Sequence, residues 1–424
     1  MVQLNYETTE LFAKGLDEQD SLRRFRDQFY IPKHNDGADA LYFTGNSLGL
    51  QPKTARKYLE EVMTDWETLA VEGHFNGANP WLTYHEDVAA KMARIVGAKP
   101  IETTAMNLLS VNLHLLFVSF YRPTRERYKI VIEAGAFPSD IYAVKSQIKF
   151  HGFDVENSLI ELNPRDGETT LRTADIIETL EKSADSIALV MLGGINYYSG
   201  QFFDIKRITA AGHQIGSVVG WDLAHAAGNV ELRLHDWNAD FAAWCSYKYL
   251  NSGPGGIGGV FVHERHREAF DLPRFAGWWG HDKATRFLMD DEFVPMRGAE
   301  GWQLSNQPIF LLASLRASLD IFEAAGMENL TKKSRRLTGY LEFLLNEIRS
   351  ERLSVITPAN PHERGCQLSI RVGNSGKSLF DALSKRGVIA DWREPDVIRV
   401  APVPLYNSFA DVYKLVEILK QCLE

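Results

Sequence analysis

Cysteine is scarce in this 424-residue chain: Cys245, Cys366 and Cys422 are its three thiols, and no two stand in a CxxC spacing. That excludes a disulfide framework and points to a reducing compartment with free thiols. Long apolar runs are missing too. The longest, residues 108–121, is interrupted by Ser110, Asn112 and His114 and is too short to span a bilayer. The N-terminus, MVQLNYETTELFAKG, scatters charges among its apolar residues and lacks the apolar stretch of a secretory signal. A cytoplasmic protein is expected. Positive charge is in deficit, with 46 Lys and Arg against 55 Asp and Glu, a net charge of −9 and no basic block. Nucleic acid and anionic membranes are therefore repelled overall, while one basic pocket for an anionic cofactor stays open. The acidic run Asp290, Asp291, Glu292 lacks the alternating spacing of a calcium loop, and no metal site is expected. Repeats and low-complexity segments are absent.

What is present reads as an ordinary globular composition, 45% hydrophobic and 24% charged, long enough for two domains. Leu11, Leu16, Leu22 and Phe25 recur at helical spacing and predict a helix over 7–29. Pro52 opens a second helical run through Trp66. Ser110 is a candidate N-cap for a helix whose free amides could hold an anion. From there strands expected at 128–134, 187–193, 216–222, 240–247 and 259–263 alternate with helices at about 139–149 and 205–212. Alternation of apolar strands with helices argues for an α/β fold with a mainly parallel sheet covered on both faces. Residues 309–348 read as two helices broken near Gly326. Strands at 364–372, 388–392 and 397–402 and a closing helix at 408–423 make a small α/β unit. The expected division is an N-terminal segment 1–65 joining the small domain, a large domain 66–308 and a small C-terminal domain 309–424.

The stretch WCSYKYLNSGPGGIGG (244–259) delivers one lysine, Lys248, from a β-prone run into a loop with five glycines. A lysine amine forms an imine with an aldehyde once deprotonated. An ordinary hairpin turn with a solvated lysine explains the same letters. GWDLAH (220–225) shifts the balance, because Asp222 ends a second apolar run 26 residues before the lysine. Lysine and aspartate at neighbouring strand ends are what pyridoxal phosphate requires, one for its aldehyde and one for its pyridine nitrogen. A nicotinamide reading fails: SGPGGIGG does not place G-x-G-x-x-G between a strand and a helix, and strand-like VFVHE follows it.

These two stretches, with EAGAFPSD (133–140) and IRVAPVPLYNS (398–408), resemble the kynureninase family of fold-type-I pyridoxal-phosphate enzymes, related to class V aminotransferases, over roughly residues 20 to 420. The resemblance implies the fold-type-I transferase architecture: a large domain with a mainly parallel, seven-stranded sheet plus the small α/β domain. It implies that Lys248, Tyr247 and Asp222 are catalytic. The cofactor would be held by Leu109, Ser110, Phe137, Pro138, Ser139, Asp140, Asp222, His225, Tyr247, Lys248, Trp278 and Asn306, the last two reaching across from the partner of a homodimer. Arg399 would bind the substrate α-carboxylate, with His74, Ser305 and Asn306 near its aromatic ring. Gly193 departs from the pattern, since close relatives carry a serine there. The implied reaction is hydrolysis of L-kynurenine or, preferentially, 3-hydroxy-L-kynurenine to an anthranilate and L-alanine, in tryptophan catabolism and the route to quinolinate and NAD. Tyr247 and Lys248 on one strand would face opposite ways, so a bend is required between them. A desulfurase of the same fold would need a cysteine on a mobile loop, and none of the three fits.

Overall fold

The computed structural model describes residues 5–373 and 376–423, so the first four residues of the N-terminal stretch read above lie outside it. Seven strands build the main sheet: β1 (Thr103–Ala105), β2 (Lys129–Glu133), β3 (Leu159–Leu162), β4 (Ile187–Gly193), β5 (Val218–Asp222), β6 (Phe241–Trp244) and β7 (Gly259–Val262). Their order across the sheet is β1-β7-β6-β5-β4-β2-β3. Every neighbouring pair from β6 to β3 is parallel, whereas β7 runs antiparallel to both β6 and β1. The segments IALVMLG, VVGWD and FAAW are buried nearly throughout. Continuous apolar runs of this kind suit strands covered on both faces, where alternation would leave polar residues inside. One apolar cluster, with Trp221, Trp244 and Leu192, fills one side of the sheet. A second, with Phe117, Phe241 and Ile132, fills the other.

The fold-type-I expectation of an α/β chain with a mainly parallel seven-stranded sheet holds. Several local readings need correction. The helix expected over 7–29 is a helix only at Glu10–Glu18, then a 3₁₀ stretch at Arg23–Gln28; Asp20 accepts the Leu22 amide and stops the first helix. Ser110 is not an N-cap. The helix Leu109–Phe120 begins two residues earlier than such a cap would place it, with Leu108 in the cap position and no side chain accepting its first amides. The strand expected over 240–247 stops at Trp244, and Tyr247 and Lys248 lie in the turns beyond it, which supplies the bend the sequence demanded. The strand β3 and the helix Thr173–Lys182 had no counterpart in the sequence reading.

The C-terminal region carries a four-stranded antiparallel sheet in the order 391–393, 397–400, 368–372, 353–355, backed by helices Met327–Glu347 and Phe409–Leu423. The N-terminal segment belongs to the same body. Leu41–Tyr42 pairs in parallel with Val388–Ile389, and Leu16 and Phe43 join Leu341, Val400 and Phe409 in a third apolar cluster. The Phe409–Leu423 helix opens with a reciprocal cap between Ser408 and Asp411, and the Asp17 carboxylate accepts the amides of Phe409 and Ala410 at 2.7 and 3.0 Å. No helix of the described residues is long and apolar enough to cross a membrane.

Candidate active site

The carboxyl ends of β2, β4, β5 and β6 all open on one edge of the sheet, where α/β folds place their ligands. A cavity of about 290 Å³ lies there, and Glu133, Gly193 and Asp222 at the tips of β2, β4 and β5 help line it. Two helices start at its rim: Leu109–Phe120 brings Leu109 and Ser110, and Pro138–Phe150 brings Ser139 and Asp140. Uncapped amides at the first of these starts make an anion site. Asn107, just before it, adopts a left-handed φ of +46° and accepts the Gly258 amide at 2.7 Å, which fastens the helix start to the glycine-rich loop.

That loop is fixed from several sides. Ser246 and Ser252 share a hydroxyl hydrogen bond of 2.6 Å, Ser314 donates to the Ser252 carbonyl at 2.7 Å, and the Gly49 amide donates to the Tyr247 carbonyl at 2.8 Å. A Cβ on Gly49 would sit 2.3 Å from the Lys248 carbonyl, so only glycine lets the N-terminal segment lie this close. The result is a buried Lys248 whose Nζ is 3.0 Å from His225 Nε2 and 5.7 Å from the centre of the Phe137 ring. Burial, with the Lys248 charge beside it, holds the His225 imidazole well below its usual value. With Lys248 donating to Nε2, the proton of the neutral ring sits on Nδ1, a buried atom with no hydrogen-bond partner.

Three buried carboxyls converge opposite the lysine. Asp222 accepts the Ala224 amide at 2.7 Å and shares a hydrogen bond with Asp140. Burial raises both, and the shared bond keeps a proton between them. Glu133, at the end of KIVIE, accepts the Gly193 amide at 3.2 Å and is pushed up to about 7 by burial. With one proton shared between Asp222 and Asp140, the pair keeps an acceptor toward the cavity, which fits a protonated ring nitrogen. The free helix amides fit the phosphate of pyridoxal phosphate. Phe137, exposed and edge-on to Tyr197 at 5.2 Å, flanks the space a ring would take. Burial raises Tyr247, keeping its phenol protonated.

Leu109, Ser110, Phe137, Ser139, Asp140, Asp222, His225, Tyr247 and Lys248 thus line one cavity. Pro138 does not line it and opens the helix behind Phe137. Arg399 stands behind Tyr197: its Nη1 donates to the Tyr197 carbonyl at 2.8 Å, while Nη2 and Nε face Asp391 at 2.7 and 3.2 Å. His74, Trp278, Ser305 and Asn306 do not line this cavity within one chain. His74 bonds the Val71 carbonyl and packs on Trp81, Trp278 Nε1 donates to the Arg286 carbonyl, and Ser305 and Asn306 are exposed. Sequence reasoning overlooked Glu133 and Tyr197. A carboxylate ending an otherwise apolar strand was the available signal for the first, while the second depends on a tertiary contact. No cysteine lines the cavity; Cys366 is fully buried, with its thiol pushed up to about 12.

Comparison with known proteins agrees with this geometry. The family model of the kynureninase C-terminal domain matches residues 330–419. Curated kynureninases from Koribacter versatilis and Nematostella vectensis are 58% and 51% identical, covering 98% and 96% of this chain and 98% and 92% of their own. Among solved structures, a cysteine desulfurase from Thermococcus onnurineus superposes with a TM-score of 0.76 over 94% of this chain and 97% of its own, at 18% identity, a likeness of fold alone. Full-length identity above one half leaves no room for a different assignment: the chain belongs to the kynureninase family, as a pyridoxal-phosphate-dependent hydrolase of a carbon–carbon bond.

Proposed function

We propose that this protein cleaves the Cβ–Cγ bond of 3-hydroxy-L-kynurenine in preference to L-kynurenine, yielding 3-hydroxyanthranilate and L-alanine in the cytoplasm, as part of tryptophan breakdown and the supply of quinolinate for NAD. The observation that carries the chemistry is the buried Lys248 beside His225, facing the Asp222–Asp140 pair across one cavity. Pyridoxal phosphate supplies the electron sink that lets a Cα proton and then the Cβ–Cγ bond be broken. Lys248 would hold its aldehyde carbon, Asp222 its ring nitrogen, and the amides of Leu109 and Ser110 its phosphate. Once displaced by substrate, the Lys248 amine takes the Cα proton and returns it to the product. Tyr247, kept protonated by burial, holds a phenolic proton beside that amine. Water adds at the γ-carbonyl carbon, the Cβ–Cγ bond breaks, and Cβ gains a proton.

Arg399 is the proposed carboxylate-binding group. Its guanidinium is held by Asp391 and the Tyr197 carbonyl, so its fork is oriented before substrate arrives. Trp278 and Asn306 complete the site from a second copy in a homodimer, and His74 and Ser305 take their place near the aromatic ring of the substrate. The proposed units are the N-terminal segment 1–65, the large domain 66–308 and the small domain 309–424. Polar groups near the aromatic ring favour the extra phenol, since a site built to bond it keeps unpaired buried groups when it is missing. Such a loss is worth about 1–3 kcal/mol, roughly tenfold to a hundredfold in specificity. Expected is a kcat/KM for 3-hydroxykynurenine at least about tenfold above that for kynurenine, followed by product fluorescence and alanine release. Equal values would refute the preference and leave the cleavage reaction standing.

A further inference from the structure

A second cavity, of about 800 Å³, opens between the N-terminal segment, the helix Met327–Glu347 and the loop before residue 365, and shares no lining residue with the lysine site. Five cationic side chains line it, Lys332, Lys333, Arg335, Arg336 and Arg364, against two carboxylates, Asp20 and Glu342. Those carboxylates are already used. Asp20 pairs with the buried Lys333 at 2.7 Å and Glu342 with the buried Arg364 at 2.8 Å. Lys332 pairs along its own helix with the exposed Glu328 at 2.6 Å. Arg335 and Arg336 have no carboxylate partner among the described residues. The Nε atoms of Arg336 and Arg364 are buried without a hydrogen-bond acceptor. In a chain of net charge −9, five cations against two carboxylates make this cleft locally positive.

We propose that this cleft is a binding site for a phosphate-bearing small molecule, distinct from the cofactor site. Guanidinium groups match phosphate oxygens in geometry and supply charge-assisted hydrogen bonds. The cavity exceeds a bare anion in size, and Tyr6, Leu22, Ala359 and Pro361 give it apolar walls for an organic moiety.

The test uses holoenzyme saturated with pyridoxal phosphate, so that the cofactor's own phosphate site is filled. Calorimetric titration with pyrophosphate and with adenosine monophosphate, at matched ionic strength, is expected to give saturable one-to-one binding. In Arg335→Gln/Arg336→Gln the dissociation constant should rise at least about tenfold, with cofactor absorbance and kynurenine turnover unchanged. Tighter binding of the nucleotide identifies an organic phosphate, and equal or tighter binding of pyrophosphate identifies the free anion; either supports the site. No saturable binding of either probe, or the same affinity in the variant, overturns it. Should the double variant misfold, the half-buried Arg335→Gln alone carries the same reading. Phosphate binding without kynurenine cleavage would refute the proposed reaction and leave this site intact.

Discussion

At the scale of single residues, the site is a contest between burial and compensation. Lys248 is fastened by its loop and faces His225, so Lys248→Ala should abolish turnover and the absorbance of lysine-bound cofactor. Borohydride reduction and peptide mapping should place the label on Lys248, and a label on another lysine would disprove the assignment. Glu133 gives a sharper readout because burial pushes it from an ordinary 4.5 to about 7. A carboxyl raised in the folded state contributes stability fully below its unfolded value and loses it as pH rises through the folded one. Relative to Glu133→Gln, the apoprotein should therefore lose about 3 kcal/mol between pH 4.5 and 7, measured as urea midpoints across that range. A difference that stays flat with pH would show that Glu133 ionises normally. The lysine and Asp222 were legible in the sequence because each ends an apolar run. Glu133 lay in the same motif as Phe137 and Asp140, but only the register that sets Gly193 opposite Asp222 shows what it holds.

At the scale of elements, the strands of the sheet were readable since continuous apolar runs bounded by turns have few alternatives. The 187–193 run is a strand over that whole span. Boundaries failed where side chains compete with the backbone. Asp20 ends a helix that periodicity alone would carry to residue 29, and the helix at Leu109 starts without the serine cap its letters suggested. The last helix shows the converse, a cap supplied from far along the chain. Asp17 accepts two of its first amides, 392 residues away for Phe409. Asp17→Ala should lower stability by about 0.5–2 kcal/mol, read as a drop in denaturant midpoint, and Asp17→Asn by less because its amide oxygen still accepts. An unchanged midpoint in Asp17→Ala would mean that Asp411 and Ser408 suffice.

At the scale of the whole molecule, one chain gathers the lysine cavity but leaves His74, Trp278, Ser305 and Asn306 outside it, which favours sites shared between two copies. Mixing inactive Lys248→Ala with an inactive Asn306→Ala variant should restore up to about a quarter of wild-type activity per site under random exchange of subunits. No recovery after demonstrated exchange would mean that each chain works alone. The pairing of the molecule's two ends has a consequence for its birth on the ribosome. Leu41–Tyr42 has no partner until Val388–Ile389 exists, and Asp17 has no helix to cap until residue 409 is made. At roughly 5–20 residues per second the opening segment waits some tens of seconds, with Leu16 and Phe43 unburied. Over that interval the nascent chain is a client for any chaperone that reads exposed apolar side chains near the exit tunnel.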